Sequence, residues 1–336
     1  MVLRIGINGF GRIARCITRS IFENNLEDEI SLVQINAPSN IDGYAHLLKY
    51  DSVHGKFSAQ VEVAEDNFVI NDLKIRKTSS RNANETDWED ADIIFECTGE
   101  FNDKNLLTSQ IKGNVKKILV SAPCKDADAT IIYGVNHEKL EKQQKVISIG
   151  SCTTNCLAPL ANILNKTVGI ENGFVTTIHA YTNDQRVLDG SHKDLRRARA
   201  CNLSMIPTST GAAKAIGEVL PELAGKLDGT AIRVPVPNVS LIDFTFNSKR
   251  ETSQQEINQI MQKANIDDKF GIIGFLEEPL VSIDINHSMF SIVFDPFETR
   301  VIGKNLVRVL SWYDNEWAYS QRMIDVARFI AKKSLL

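Results

Sequence analysis

The sequence predicts an α/β chain of two domains: a doubly wound parallel sheet, then an α+β half with a mixed or antiparallel sheet. Three observations predict this. The chain opens on a strand, a glycine turn and a helix, "LRIGINGFGRIARCITRSIFEN" (3–24). Short apolar runs then alternate with helix-spaced segments as far as "VISI" (146–149). Finally, residues 231–312 are dense in alternating, β-branched runs.

The first domain follows element by element. "LRIGI" (3–7) reads as a strand and "RIARCITRSIFEN" (12–24) as a helix. The turn between them matches G-x-G-x-x-A at Gly9, Gly11 and Ala14. In such a turn the first glycine permits the tight bend and the second lets backbone approach a pyrophosphate. The small third residue lets helix and strand pack closely. The following helix offers free N–H groups to phosphate. A glycine turn that binds nothing has the same local spelling. "ISLVQI" (30–35), "ADIIFEC" (91–97) and "KKILVS" (116–121) read as further strands, and "NDKNLLTSQIKG" (102–113) as a helix. Thr98, Gly99 and Ser121 fall at the C-terminal ends of strands, where ligands bind in such sheets. The acidic residue that usually ends the second strand is missing: "QINAPSN" has Ala37 there.

The second half carries reactive side chains. "SIGSCTTNC" (148–156) puts Cys152 at the start of a plausible helix, where the partial positive charge lowers a thiol pKa. Cys156 lies one turn further in. The pair is half a metal site, a disulfide, or a nucleophile with a structural neighbour. Zinc needs about four ligands, and no second Cys/His pair has the usual spacing, so no metal is expected. A thiol nucleophile wants a base. His179, near the end of the β-rich "TTIHAYTND" (176–184), is one candidate; His46, His54, His137, His192 and His287 are its rivals.

Composition narrows the function classes. The chain has 336 residues, 43% hydrophobic and 24% charged, with a formal net charge of -4. That charge argues against nucleic acid as a partner. No apolar run approaches the roughly 18 residues of a membrane span. The N-terminus runs straight into a strand pattern, so a cytoplasmic protein with free cysteines is expected.

At this point the residues carry a resemblance. "INGFGRI", "SCTTNCLAP", "HAYTNDQ", "KDLRRARA", "PTSTGAAKAIGEVLPEL", "RVPVPNVSLID" and "SWYDNEWAYS", in that order, resemble phosphorylating glyceraldehyde-3-phosphate dehydrogenases over essentially the whole chain. The resemblance implies a Rossmann-type dinucleotide-binding domain over 1–151, completed by the C-terminal helix 316–336, and a catalytic domain over 152–315. It implies oxidative phosphorylation of D-glyceraldehyde 3-phosphate with NAD and/or NADP and inorganic phosphate, a step of glycolysis and gluconeogenesis. Cys152 would attack the aldehyde, and His179 would take the thiol proton and then help remove the hydroxyl proton during oxidation. Phosphate would release the thioester. One anion pocket would use Thr182 and Arg233; the other Ser151, Thr153, Arg197, Thr210 and Gly211. Hydroxyls, N–H groups and Arg forks suit phosphate.

The resemblance further implies cofactor contacts at Asn8, Gly9, Gly11, Arg12, Ile13, Ala37, Arg81, Thr98, Gly99, Ser121, Ser191 and Asn315. Asn315 would hold the nicotinamide amide; an Asx turn before the last helix is the plainer role. A homotetramer is implied, with the loop 181–203 lining a neighbour's cofactor. "HKDLRRARA" (192–200) within it also reads as a solvated basic face. NAD-specific members carry an aspartate where this chain has Ala37, and Leu-Pro where it has Gly190-Ser191. The expectation is acceptance of NADP, with Arg81 as the nearest cation. Erythrose-4-phosphate dehydrogenase is the enzymatic alternative, and a catalytically retired binding protein the non-enzymatic one.

Overall fold

β1 (Leu3–Asn8) is buried on both faces apart from a half-buried Arg4, the burial of a central strand in a sheet covered on both sides. The computed structural model describes every residue except Met1, Ala83, Asn84 and Glu89. The chain divides into two units, Met1–Ser151 with Ser320–Leu336, and Cys152–Tyr319.

After β1 the first unit runs α1 (Arg12–Glu23), β2 (Ile30–Asn36), α2 (Ile41–Lys49), the hairpin β3 (Tyr50–Asp51) and β4 (Gly55–Lys56), then β5 (Val61–Ala64), β6 (Asn67–Ile70), β7 (Leu73–Thr78), β8 (Ile93–Glu96), α3 (Lys104–Thr108), β9 (Lys117–Val120), β10 (Ala129–Thr130) and β11 (Val146–Ser148). Nine of these strands form one sheet in the order β10-β11-β9-β8-β1-β2-β7-β6-β5. Its body is parallel, and β5, β6 and β7 close one edge as antiparallel hairpins. The order reverses at β1, which pairs with β2 on one side and β8 on the other. Ligands bind outside the strand ends at such a switch point. Four side chains lie in one row across those ends: Thr78 opposite Asn36, Asn36 opposite Asn8, and Asn8 opposite Glu96.

One element is shorter than the sequence predicts. The helical spacing of 102–113 yields a helix of only five residues, α3. Asp103 caps its start by accepting from the Asn105 N–H. At its end the Thr108 and Ser109 hydroxyls bond the Lys104 and Leu106 carbonyls. Side chains that take backbone carbonyls compete with helix propagation.

The second unit runs α4 (Cys152–Thr167), β12 (Ile170–Ala180), β13 (Ile206–Ser209), α5 (Ala212–Val219), β14 (Leu227–Val234), β15 (Ser240–Ser248), α6 (Gln254–Ile266), β16 (Ile273–Phe275), β17 (Ile292–Ile302) and β18 (Leu306–Tyr313). Seven strands form a mixed sheet, β13-β14-β12-β15-β18-β17-β16. β15 alternates buried and half-buried residues along its whole length, the pattern of a strand with one covered face. α4 is buried from Thr153 through Ala161. The last helix, α7 (Trp317–Lys332), belongs to the first unit from Ser320 onward. There Arg328 pairs with Glu29 at 2.8 Å and Phe329 meets the edge of the His137 ring.

Candidate active site

β12 and β14 are parallel neighbours, and their register sets His179 directly opposite Arg233. α4 begins at Cys152, so the thiol stands at a helix N-terminus. Its Sγ lies 3.4 Å from His179 Nε2. Among six histidines, tertiary structure selects the one that the sequence left among rivals. His179 Nδ1 lies 2.7 Å from the Ala180 carbonyl and 2.5 Å from Arg233 Nη1; the tautomer that donates to the carbonyl turns the Nε2 lone pair toward the thiol. Arg233 Nη1 donates to the same carbonyl at 2.9 Å.

The charges follow from this crowding. Burial and the Arg233 cation hold the His179 imidazole neutral, depressed to about 3. Burial also pushes the Cys152 thiol up, while Arg233, the Thr153 hydroxyl and two N–H groups pull it back. The helix-terminus argument alone predicts a lowered thiol; desolvation of the charged form outweighs it. Both shifts favour the uncharged form of each partner. Cys156, one turn further along, is fully buried; its Sγ donates to Ser311 Oγ at 3.7 Å and its pKa is pushed up to about 12.

Tyr313 supports the pair through bonds to a distant helix and a distant strand, partners that local sequence does not announce. Its hydroxyl bonds Thr153 Oγ1 at 3.0 Å and Thr177 Oγ1 at 2.9 Å, and its ring meets His179 edge-on. Thr177 sits two residues before His179 and so shares its face of β12. The signal was in "SWYDNEW", two residues before Asn315. Asn315 itself is buried and accepts from the Ser240 hydroxyl at 2.8 Å; that hydroxyl accepts the Ala180 N–H. The Asx turn that starts the last helix is made by Asp314, which accepts from the Glu316 and Trp317 N–H groups.

The other expected anion ligands lie in the same unit, Ser151 excepted. Arg197 Nε donates to Thr208 Oγ1 at 2.8 Å, and its guanidinium pairs with Asp184 and Asp194. Thr210 Oγ1 accepts the Ala212 N–H at the start of α5, and Gly211 leaves open space around its Cα. The Thr182 N–H donates to Gln185. The Ser191 carbonyl accepts from Arg186. Ser151 closes the first unit, one residue before α4.

In the first unit a cavity at the switch point is lined by Asn8, Gly9, Gly11, Asn36, Arg81 and Thr98, among others. Gly9 has φ +86°, and a Cβ there would come within 2.8 Å of the Thr98 backbone. Both facts demand glycine. Gly11 caps α1 without a side chain, and the first turn holds no acid. The uncapped N–H groups and the open space beside Gly11 fit a dinucleotide's phosphates. Gly99 also takes a positive φ, +73°. Ser121 donates its N–H to the Glu96 carbonyl. Arg12 forks onto Asp51, and the Ile13 carbonyl accepts from Ser320. Ala37 is fully buried, with its N–H on the Thr78 carbonyl.

Family models decide the assignment. Residues 3–104 match the model "Glyceraldehyde 3-phosphate dehydrogenase, NAD binding domain", and residues 151–315 match "Glyceraldehyde 3-phosphate dehydrogenase, C-terminal domain". The chain belongs to the glyceraldehyde-3-phosphate dehydrogenase family. Curated relatives of that name agree: one from Xanthobacter flavus is 52% identical over 334 residues, 99% of each chain. Another from Cereibacter sphaeroides is 50% identical over 97% of this chain and 98% of its own. "Glyceraldehyde-3-phosphate dehydrogenase 2" of Bacillus subtilis is 45% identical over 99% and 98%. Family membership makes the chain an NAD(P)-dependent oxidoreductase acting on an aldehyde, with a Rossmann-type first domain. No helix among the described residues is long and apolar enough to cross a membrane.

Proposed function

We propose that the chain catalyses the reversible oxidative phosphorylation of D-glyceraldehyde 3-phosphate with NAD(P) and inorganic phosphate. The observation that carries the chemistry is the thiol–imidazole contact of 3.4 Å at the start of α4. Cys152 attacks the aldehyde carbon as its proton passes to His179 and on to the former carbonyl oxygen, giving a thiohemiacetal and leaving His179 neutral again. The α4 N–H groups face the oxygen that gains charge. Bound dinucleotide supplies the two-electron oxidant. His179 receives the hydroxyl proton as the thiohemiacetal becomes a thioester. Phosphate then displaces the Cys152 thiolate, which is a good leaving group.

Arg233 gives the base a dependence on substrate. Its cation, beside His179, is part of what depresses the imidazole. An anionic substrate group paired with Arg233 cancels that charge, so His179 becomes a stronger base when the pocket is filled. Steady-state rates test the reading, with D-glyceraldehyde 3-phosphate and erythrose 4-phosphate, each with and without inorganic phosphate. Phosphate-dependent turnover of the triose, abolished in Cys152→Ser, is expected. Faster turnover of the tetrose would reassign the substrate.

We infer further that NADP is accepted. Ala37 brings no carboxylate to repel a 2′-phosphate, and Arg81 lines the dinucleotide cavity. The ratio of kcat/KM for the two cofactors should fall sharply toward NAD in Ala37→Asp. Absence of NADP turnover in the wild type would refute this. A cytoplasmic homotetramer goes with the same reading. Val187, Leu188, Leu195, Leu203 and Met205 in and beside the loop 181–203 are each at least 70% exposed, apolar surface that subunit contact would cover.

A further inference from the structure

The row of side chains across the strand ends of the first unit forms a continuous hydrogen-bond relay. At one end the Ser80 N–H donates to Asn36 Oδ1 at 2.9 Å, and Asn36 Nδ2 returns a bond to the Ser80 carbonyl at 2.9 Å. Asn36 Nδ2 also donates to Asn8 Oδ1 at 2.8 Å. Asn8 Nδ2 donates in turn to Glu96 Oε2 at 2.6 Å. Glu96 Oε1 accepts the Thr98 N–H at 2.8 Å and the Thr98 hydroxyl. Asn8, Asn36 and Glu96 are all buried.

The direction of every bond is dictated from the two ends. Backbone groups of Ser80 fix which way the Asn36 amide faces. That orientation obliges Asn8 to offer its oxygen to Asn36 and its nitrogen to residue 96. The acceptor required there, on two sides at once, is a carboxyl group, whose two oxygens both accept. A glutamine has one accepting oxygen. Its nitrogen would face either the Asn8 N–H₂ or the Thr98 N–H, and both are donors. An unmade bond at a buried polar group is costly, and flipping Asn8 only moves the conflict to Asn36.

We propose that Glu96 is a positioning residue for dinucleotide binding, holding through Asn8 and Asn36 the two opposite walls of the cavity, the Gly9–Thr98 side and the Ser80–Arg81 side. Both walls line the same cavity, whereas Glu96 lies beneath its lining. Its role is distinct from contact with the cofactor: it sets where Asn8, Thr98 and the Ser80–Arg81 segment stand.

Glu96→Gln in the full chain tests this, with dinucleotide titration, kcat at saturating cofactor, and amide exchange over residues 78–82. The expected result is a dinucleotide Kd at least tenfold weaker, kcat within about threefold of wild type, and faster exchange at 78–82. That segment is joined to residue 96 only through Asn8 and Asn36 in the relay. An affinity within twofold of wild type overturns the proposal. So does weaker binding with exchange at 78–82 unchanged, and so does a kcat loss as large as the affinity loss, which marks general damage. If Glu96→Gln does not fold, Asn36→Asp removes the donor to Asn8 at unchanged volume. It should reproduce the weakened binding and faster exchange, and wild-type affinity in that variant also overturns the proposal.

Discussion

Cys152 and Cys156 share a helix and differ in everything a reagent can sense. Cys152 keeps some exposure and a base at 3.4 Å; Cys156 is sealed against Ser311. Reactivity follows the accessible thiolate. Iodoacetamide should therefore label Cys152 first by a wide margin, read by mass spectrometry. Cys152→Ser should lose several orders of magnitude in kcat, and Cys156→Ser should keep most activity. Faster labelling of Cys156 would reverse the assignment. Glu96 gives a second prediction, on stability against pH. Burial pushes its carboxyl up to about 7, from an ordinary value of 4.5. The native state then holds this proton across a range where the unfolded chain has released it. The resulting stability is fully present below about pH 4.5 and is lost as pH rises through about 7. A proton at Oε1 is compatible with the relay, because the Thr98 hydroxyl can turn to accept it while the Thr98 N–H still donates. Urea midpoints of wild type and Glu96→Gln, compared from pH 5 to 8, should shift relative to one another in that direction. A difference that does not change with pH would contradict it.

At the scale of an element, the two glycines of the turn between β1 and α1 are constrained in different ways. Gly9 combines a φ of +86° with a backbone neighbour 2.8 Å from where a Cβ would sit. Gly11 meets nothing within 4 Å. Gly9→Ala should therefore cost about 1–3 kcal/mol of stability from strain alone, with a further loss of dinucleotide affinity as Thr98 is displaced. Gly11→Ala should keep wild-type stability and lose affinity only, because its Cβ points into ligand space. Thermal unfolding and cofactor titration of the two variants separate the cases. Equal destabilisation of both would mean that the space beside Gly11 is filled by protein. In the second unit, the parallel register of β12 and β14 does comparable work by pairing His179 with Arg233.

At the scale of the whole molecule, one long loop, 181–203, carries four strongly exposed apolar side chains: Val187, Leu188, Leu195 and Leu203. Leu195 and Leu203 are 82% and 76% exposed, in a stretch whose one regular feature is a bridge between Arg186 and Ala200. Side chains of that size in water predict association. Light scattering should give a tetramer mass, and Leu195→Asp with Leu203→Asp should lower it and weaken activity together. A fully active monomer would rule out a neighbour's contribution to the site.

The sequence by itself determined the family and the fold class and pointed to Cys152, because those signals are local: G-x-G-x-x-A between a strand and a helix, and a cysteine at a helix start in "SCTTNC"; local spacing left His179 among five rivals, and only the fold brings it to the thiol. The glycine positions were legible because backbone geometry restricts the residue type to one. The length of α3 was not legible, since hydroxyl side chains at 108 and 109 take carbonyls that an apolar period cannot reveal. Nor were the bonds of Tyr313 to Thr153 and Thr177, or the Asp314 turn beside Asn315, because each depends on partners far away in the chain. The relay from Ser80 to Glu96 shows the limit most clearly. Thr78, Asn36, Asn8 and Glu96 come from four strands, and only their shared register in the sheet makes neighbours of them. Sequence spacing specifies what one strand offers; which side chains meet across strands is decided by the pairing of the sheet.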